Sequence, residues 1–491
     1  MLKYSGIILF IMVVAGCSKS DSDSDATNPY LTNHASAAAT AVSGASDPLK
    51  TALAAAPTTY AFTSQAGDGS SSVSYKGQTF RQILNDDLKA WIGTLTAGGY
   101  SGSKAQALEA LNSYFAYDAA STPTAPGAIN GSSTISTGAK DTAGANTTTV
   151  QTTYDDVRSS GKQLKSKLAG IDNALRHSTL KGWGSVETPE ALIATWFDTI
   201  ATNATSGSPF QAPNGTLDTQ TVHKAYVTGT GLDLQQLVQK FLHGAVSYSQ
   251  ASGDYLSTDL GDSKGLNADN SGVATGKTYS SLEHHWDEAF GYFGAARDYL
   301  AYTDAQNKAG VSIDTNGDGK IDLLTEKNFG LSVNAGKRDV TTANDPDLSA
   351  GAMQAFLQGR HLIATKPEGY RDLLPSLAIV AVANWEKTIV ATVIHYINDT
   401  IADMDNYGTA DYSFTDHAKH WSEMKGFALG LQFNPKSTLS SAGFDKVHEL
   451  MGTAPVLGPG GGLADYKTKL IEARNVLKDT YGFSGALVEK L

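Results

Sequence analysis

Apolar positions along this chain recur mostly at intervals of three and four, the spacing that gathers them on one side of an α-helix. From Gln78 onward, Phe80, Ile83, Leu84, Leu88, Trp91 and Ile92 keep that interval until Gly98-Gly99 interrupt it, so a helix is expected there. The same spacing predicts helices over 103–117, 154–175, 189–203, 234–255, 279–303, 350–364, 370–405, 415–433, 444–451 and 464–481. Residues 60–75 alternate instead, as in Tyr60-Ala61-Phe62 and Val73-Ser74-Tyr75, and read as a small strand pair or irregular lead-in. Residues 121–153 hold hardly any large apolar side chain and read as a surface excursion. Helices without intervening sheets must cover their apolar sides with one another. The expected fold class is therefore all-α, two related helical bundles with a small irregular or β lead-in.

Self-comparison adds chemistry to that pattern. His285-Trp286-Asp287-Glu288 followed by Gly291-Tyr292 recurs as His420-Trp421-Ser422-Glu423 followed by Gly426-Phe427, so both copies read H-W-x-E-x-x-G-aromatic. The helices before them also correspond loosely, Lys240 and Tyr248 standing near the equivalents of Lys387 and Tyr396. A duplicated helical hairpin is expected. Residues three apart on a helix share a side, so His285 with Glu288, and His420 with Glu423, present an imidazole and a carboxylate together. These are standard ligands for iron, zinc or another divalent metal. Leu282, Trp286, Ala289, Phe293 and Ala296 form the core stripe of the first copy; His417, Trp421, Met424, Ala428 and Leu431 form that of the second. His284 and Asp287 are expected on the opposite, solvated side. Glu386, on the helix before the second copy, is a further candidate ligand, and each glycine would admit a neighbouring backbone. The alternative is that both pairs are hydrogen-bonding elements of a bundle seam.

A second motif is local. Asp314, Asn316, Asp318 and Asp322 occupy positions 1, 3, 5 and 9 of an EF-hand-type loop, with Lys320 at the backbone-carbonyl position, Gly319 at the turn and apolar Ile321 at position 8. Position 12 is Thr325, and the expected acidic ligand stands one place later as Glu326. Calcium that braces a loop is the expectation, with a solvated turn as the alternative.

Charge and the N-terminus narrow the setting. The chain has 37 basic and 49 acidic residues, a formal net charge of −12, which argues against nucleic acid as a partner. The one cysteine is Cys17, preceded by a positive Lys3, a short apolar run and Val14-Ala15-Gly16. That run is far shorter than the roughly 20 residues of a membrane span. It reads as a lipoprotein signal peptide over 1–16 with Cys17 as the lipidated residue. Residues 17–55 are rich in Ser, Asp, Ala and Thr and are expected to be a disordered tether. The remaining division expected is a first helical bundle with its lead-in over 56–310, the calcium-like loop over 311–330 and a second bundle over 331–491. The glycine run at 458–462 reads as a flexible turn.

The lead-in Val73-Ser74-Tyr75-Lys76-Gly77-Gln78 with Arg81, the run from Glu283 to Phe293, Trp385-Glu386-Lys387 with His395-Tyr396-Ile397-Asn398, and Glu423-Met424-Lys425-Gly426-Phe427 resemble bacterial lipoproteins grouped as domain of unknown function 4856. The likeness covers nearly all of the chain beyond the signal. That family looks related to imelysin-like proteins, two-bundle helical proteins with a G-x-H-x-x-E motif that are linked to iron-regulated uptake. Glu283 stands here where that motif has glycine, so only His285 and Glu288 carry over. The resemblance implies an outer-membrane lipoprotein, periplasmic or surface facing, that binds iron, zinc or another divalent metal and serves a metal-uptake system. The alternative reading is a non-catalytic surface module for a protein or glycan. A metallopeptidase fits less well, because the chain has neither H-E-x-x-H nor H-x-x-E-H, and no other catalytic motif stands out.

Overall fold

A computed structural model describes residues 28–158, 161–216, 218–340, 345–458 and 462–491. The expected signal peptide, Cys17 and the centre of the glycine run lie outside the described residues. Helices α1 (His34–Ser43) and α2 (Asp47–Ala54) come first and correct the described part of the tether expected over 17–55, whose residues 17–27 lie outside the described residues. Leu31 bridges to Leu439, Thr32 N donates to Thr438 O, and Ala38, Val42, Leu49 and Leu53 are buried. Few large apolar residues suffice where a groove already exists, which composition alone does not reveal.

The lead-in forms a short antiparallel contact, with Thr63 bridged to Ser71 and the Tyr60 ring stacked on Phe290 at 3.7 Å. Next come α3 (Lys76–Ile92) and α4 (Lys104–Phe115), both as the spacing predicts. A capping box starts α4: Ser103 accepts from Gln106 N while the Gln106 side chain returns to Ser103 N. In the surface excursion, β1 (Ala139–Lys140) pairs antiparallel with β2 (Asn146–Thr147). The helix expected over 154–175 is only the single turn α5 (Tyr154–Val157) and a 3-10 turn at Lys165–Lys167. Gly161 and Gly170 take φ of 70° and 87°, left-handed values that a continuing helix does not contain. Helix α6 (Pro189–Ser206) leads into the hairpin of β3 (Phe210–Asn214) and β4 (Asp218–Val222).

Helix α7 (Leu234–Leu242) continues through wider π-type turns at His243–Tyr248 and Ala251–Tyr255. After it, α8 (Ser281–Phe293) stops short of its expected end because Gly294 adopts φ 84°. Two short helices were not expected, α9 (Asp304–Ala309) and α10 (Gly330–Arg338). The rest follow the periodicity: α11 (Leu348–Thr365), α12 (Tyr370–Asp405), α13 (Phe414–Gly430), α14 (Ser441–Met451) and α15 (Leu463–Tyr481), with α16 (Gly485–Lys490) last.

Among the described residues there are sixteen α-helices and two two-stranded sheets, so the chain is mostly helical with small β elements. Helix α12 is long and apolar enough to cross a membrane by length and composition, yet α1, α10, α11, α13 and α15 pack around it and most of its apolar window is buried. In each half the H-W-x-E helix packs on the helix before it, α8 on the end of the α7 extension and α13 on α12. One connected core links the two halves. They meet where the α7 extension crosses α13: a Cβ on Gly244 would lie 2.4 Å from the Gly430 Cα.

Candidate functional site

The two H-W-x-E copies are built alike. Ser280 caps α8 by accepting from Glu283 N, and Ser413 caps α13 by accepting from Asp416 N. Both tryptophans are fully buried, Trp286 Nε1 donating to Phe356 O at 2.9 Å and Trp421 Nε1 to the Tyr466 hydroxyl at 2.6 Å. Both glycines sit at close approaches. A Cβ on Gly291 would meet Tyr75 and Gln78 within 3.0 Å, and one on Gly426 would lie 2.7 Å from the Lys240 Cβ. All ten expected stripe positions are buried.

Asp287 is not on a solvated side. It is fully buried, accepting from Arg360 Nε at 2.8 Å, the Tyr60 hydroxyl at 2.9 Å and Ser74 N at 3.0 Å. His284 is half-buried, stacked on Tyr279 with its Nδ1 3.0 Å from Ser74 O. Glu283 closes the capping box with Ser280 N and receives Arg360 Nη1 at 2.9 Å. The partners of Asp287 come from elements far away in sequence, which is why helical spacing alone misplaces it.

The candidate metal ligands are each held by other groups. His285 Nδ1 lies 3.0 Å from Gly265 O, and Glu288 accepts from Gln78 Nε2 at 2.7 Å with His284 Nε2 at 3.7 Å. In the second copy His420 Nδ1 is 2.8 Å from Asp403 Oδ2, and Glu423 Oε1 is 3.3 Å from Lys240 Nζ. Burial opposes the charge on His420, but the Asp403 carboxylate prevails and raises its pKa above the ordinary histidine value. Burial likewise works against the Glu423 carboxylate, and the Lys240 ammonium holds it below the usual range. Glu386 is enclosed by donors: the Tyr248 and Tyr481 hydroxyls, Asn434 Nδ2, Ser437 Oγ and Thr438 N. Among the described residues no three His, Cys, Asp or Glu side chains are gathered to hold a metal ion. His285, Glu288, His420, Glu423 and Glu386 as arranged do not fit a metal centre.

The calcium-like loop is folded by its own side chains. Asp314 accepts from Gly317 N and Gly319 N, Asn316 Oδ1 from Asp318 N, and Asp318 Oδ1 from Lys320 N, each within 2.8 Å. Gly317 and Gly319 take φ of 74° and 81°, which the tight turns require. Ile321 is buried and bridges in parallel to Thr149. Asp322 turns instead to Gln151 Nε2, Leu324 N and Thr325 Oγ1. Glu326 is buried and ties the loop's ends, accepting from Thr315 N, Asn316 N and Asp322 N.

Sequence reasoning missed a third grouping, around Glu423. Lys240 of α7 pairs with Glu423, Arg338 of α10 lies over the neighbouring Tyr396 ring, and the charges of Lys89 of α3 and Lys337 of α10 act on the same groups. The Lys337-Arg338 pair, ending a polar stretch in an acidic chain, was the available signal.

A family model described as Domain of unknown function (DUF4856) matches residues 57–484. The chain belongs to the DUF4856 family. That match spans the lead-in, both H-W-x-E copies, the calcium-like loop and all four cationic residues around Glu423. No curated protein and no solved structure matches the chain.

Proposed function

We propose that this DUF4856 chain is a lipid-anchored, extracytoplasmic binding module without catalytic activity, whose H-x-x-E pairs hold its helices together and whose 314–326 loop is braced by calcium. One observation carries the reading: every nominated transition-metal ligand is already engaged by a protein group from another element, His285 by Gly265, Glu288 by Gln78, His420 by Asp403, Glu423 by Lys240 and Glu386 by its ring of donors. Drawing them onto one ion would first strip buried groups of these partners, at about 1–3 kcal/mol for each group left unsatisfied. That cost favours a binding role over metal acquisition.

Calcium is supported differently. Asp314, Asn316 and Asp318 also accept from backbone amides, but they stand at the surface or near it, where amides released on binding find water, so the reorganisation costs less than in the buried pairs. With Glu326 committed to backbone amides, the affinity belongs to the weak range of extracellular modules, a Kd of about 10⁻⁴–10⁻³ M. The lipid anchor, through Cys17, keeps the module at the outer membrane facing periplasm or surroundings, where calcium at that level is available.

The test is thermal unfolding of chelator-treated protein with separate additions of Ca²⁺, Zn²⁺, Mn²⁺ and Fe²⁺. Millimolar Ca²⁺ alone is expected to raise the midpoint, and D314N/D318N is expected to abolish that rise. A larger rise with Fe²⁺ or Zn²⁺ that H285A/E288A removes would overturn the proposal.

A further inference from the structure

The cationic grouping around Glu423 is at odds with the rest of this acidic chain. Lys240 is nearly buried, and its ammonium is 3.3 Å from Glu423 Oε1, 2.7 Å from Gln239 Oε1 and 5.6 Å above the Phe427 ring. Lys89 is half-buried on α3, its carbonyl accepts from Gln235 Nε2 of α7 at 2.9 Å, and the Lys240 ammonium acts on its charge. Arg338 lies 5.7 Å over Tyr396, whose ring runs nearly parallel to Phe427 at 6.2 Å, so both cations rest on one aromatic floor. Lys337 completes the group from the adjoining position of α10, close enough to feel both Lys240 and Arg338.

Among the described residues, Lys89, Lys337 and Arg338 have no carboxylate within ion-pair distance, and Glu423 alone pairs with Lys240. Arg338 is only 8% exposed, yet its Nε has no hydrogen-bond partner. Asn85, one turn before Lys89 on the same side of α3, keeps a buried Oδ1 that also accepts from nothing. Burying unpaired charge beside like charge is costly unless something returns the lost interaction. The helix itself changes geometry here, since the π-type turns of the α7 extension begin at His243, one turn after Lys240 and bonded to Asn85. Insertions of this kind occur often at functional sites.

We propose that Lys89, Lys240, Lys337 and Arg338 form a binding site for a phosphate group, carried either by inorganic phosphate or by a small phosphomonoester. Ammonium and guanidinium donors are the usual partners of such oxyanions, and Arg338 Nε supplies an unused donor. A dianion offsets much of the surplus positive charge that Glu423 leaves uncompensated. Asn85 Oδ1 is an acceptor, suited to the hydroxyl that inorganic phosphate keeps near neutral pH and that sulfate and a phosphomonoester dianion both lack. This deepens the binding-module reading and rests on the H-x-x-E carboxylate of Glu423 not being a metal ligand. Burial and the neighbouring Lys240 ammonium pull the Lys89 pKa down to about 7. An arriving anion reverses that pull, so binding at pH 7.5 is accompanied by proton uptake.

The experiment is isothermal titration of the intact chain with inorganic phosphate, glycerol 3-phosphate and sulfate at constant ionic strength, in two buffers of different ionisation enthalpy. Saturable phosphate binding with proton uptake is expected, weakened about tenfold or more in K89Q/K337Q, and likewise in R338Q. Tighter binding of glycerol 3-phosphate than of phosphate identifies the ester as the ligand, and the reverse identifies the free ion. Circular dichroism confirms that each variant is folded. Absence of saturable heat with both phosphates, equal affinity for sulfate, or variants that bind as the wild type would each overturn the proposal. None of these outcomes depends on the metal additions that test the function proposed above.

Discussion

Replacing Glu386 with alanine separates a structural carboxylate from a metal ligand. Its side chain is fully buried on α12 and accepts Asn434 Nδ2 at 2.8 Å, Ser437 Oγ at 3.0 Å, Thr438 N at 2.8 Å and the Tyr481 hydroxyl at 2.7 Å, with the Tyr248 hydroxyl as a fifth donor. These donors come from the α7 extension, α15 and the 434–438 turn, so one carboxylate links three parts of the core. Burial and the adjacent Glu386 raise both tyrosine hydroxyls far above their ordinary range, which keeps them protonated donors. Alanine leaves the Thr438 amide, which cannot turn away, and several other donors unsatisfied at about 1–3 kcal/mol each. Some rearrange, since Asn434 Nδ2 also reaches the Tyr248 hydroxyl at 2.9 Å. The net loss expected is about 3–5 kcal/mol, comparable to breaking a buried charged pair. Glu386→Gln retains the volume and one acceptor, so it should lose less. Urea unfolding followed by circular dichroism measures both. A Glu386→Ala variant within about 0.5 kcal/mol of wild type, the range of an ordinary surface change, would refute the reasoning.

Other perturbations probe the same framework. Arg360→Met leaves Glu283 and Asp287 buried without their shared cation, so a loss of about 3–5 kcal/mol in urea unfolding is expected, with part recovered in the R360M/E283Q/D287N triple variant. The His420–Asp403 pair makes stability pH-dependent. Because the folded pKa of His420 is raised, its contribution is complete below the unfolded value near 6.5 and disappears as pH rises through the folded value. Midpoints measured from pH 5 to 9 should show that decline in wild type and a flatter profile in Asp403→Asn. Gly244→Ala drives a methyl into the Gly430 backbone and should cost about 1–3 kcal/mol by thermal unfolding, whereas Gly276→Ala, in open space, tests only the strain of a positive φ.

The sequence is most informative where local chemistry decides the outcome. The 36-residue α12 forms over the span its apolar content predicts, 370–405, and the glycines of both H-W-x-E copies admit close neighbours as expected. It is least informative where partners are distant. The Asp287 side chain is buried only because Arg360, Tyr60 and Ser74 arrive from elsewhere, and the ligand-like residues of the two copies find partners that helical spacing does not name. The expected helix over 154–175 failed for a local reason that was visible, Gly161 and Gly170, though apolar Leu164 and Leu168 masked it by being buried in a loop. Helix α10 was missed because its own composition is weakly apolar and packing on α9 and α12 supplies its stability, in keeping with tertiary context overriding propensity.

Elemental analysis of the chain, purified without chelator and compared with H285A/E288A and H420A/E423A variants, tests the assignment of the H-x-x-E pairs most directly. Trace iron, zinc and manganese in all three preparations, with variants that are less stable than wild type, is the result predicted. A stoichiometric transition metal in wild type that both variants lose would contradict it and restore metal capture as the purpose of the repeat.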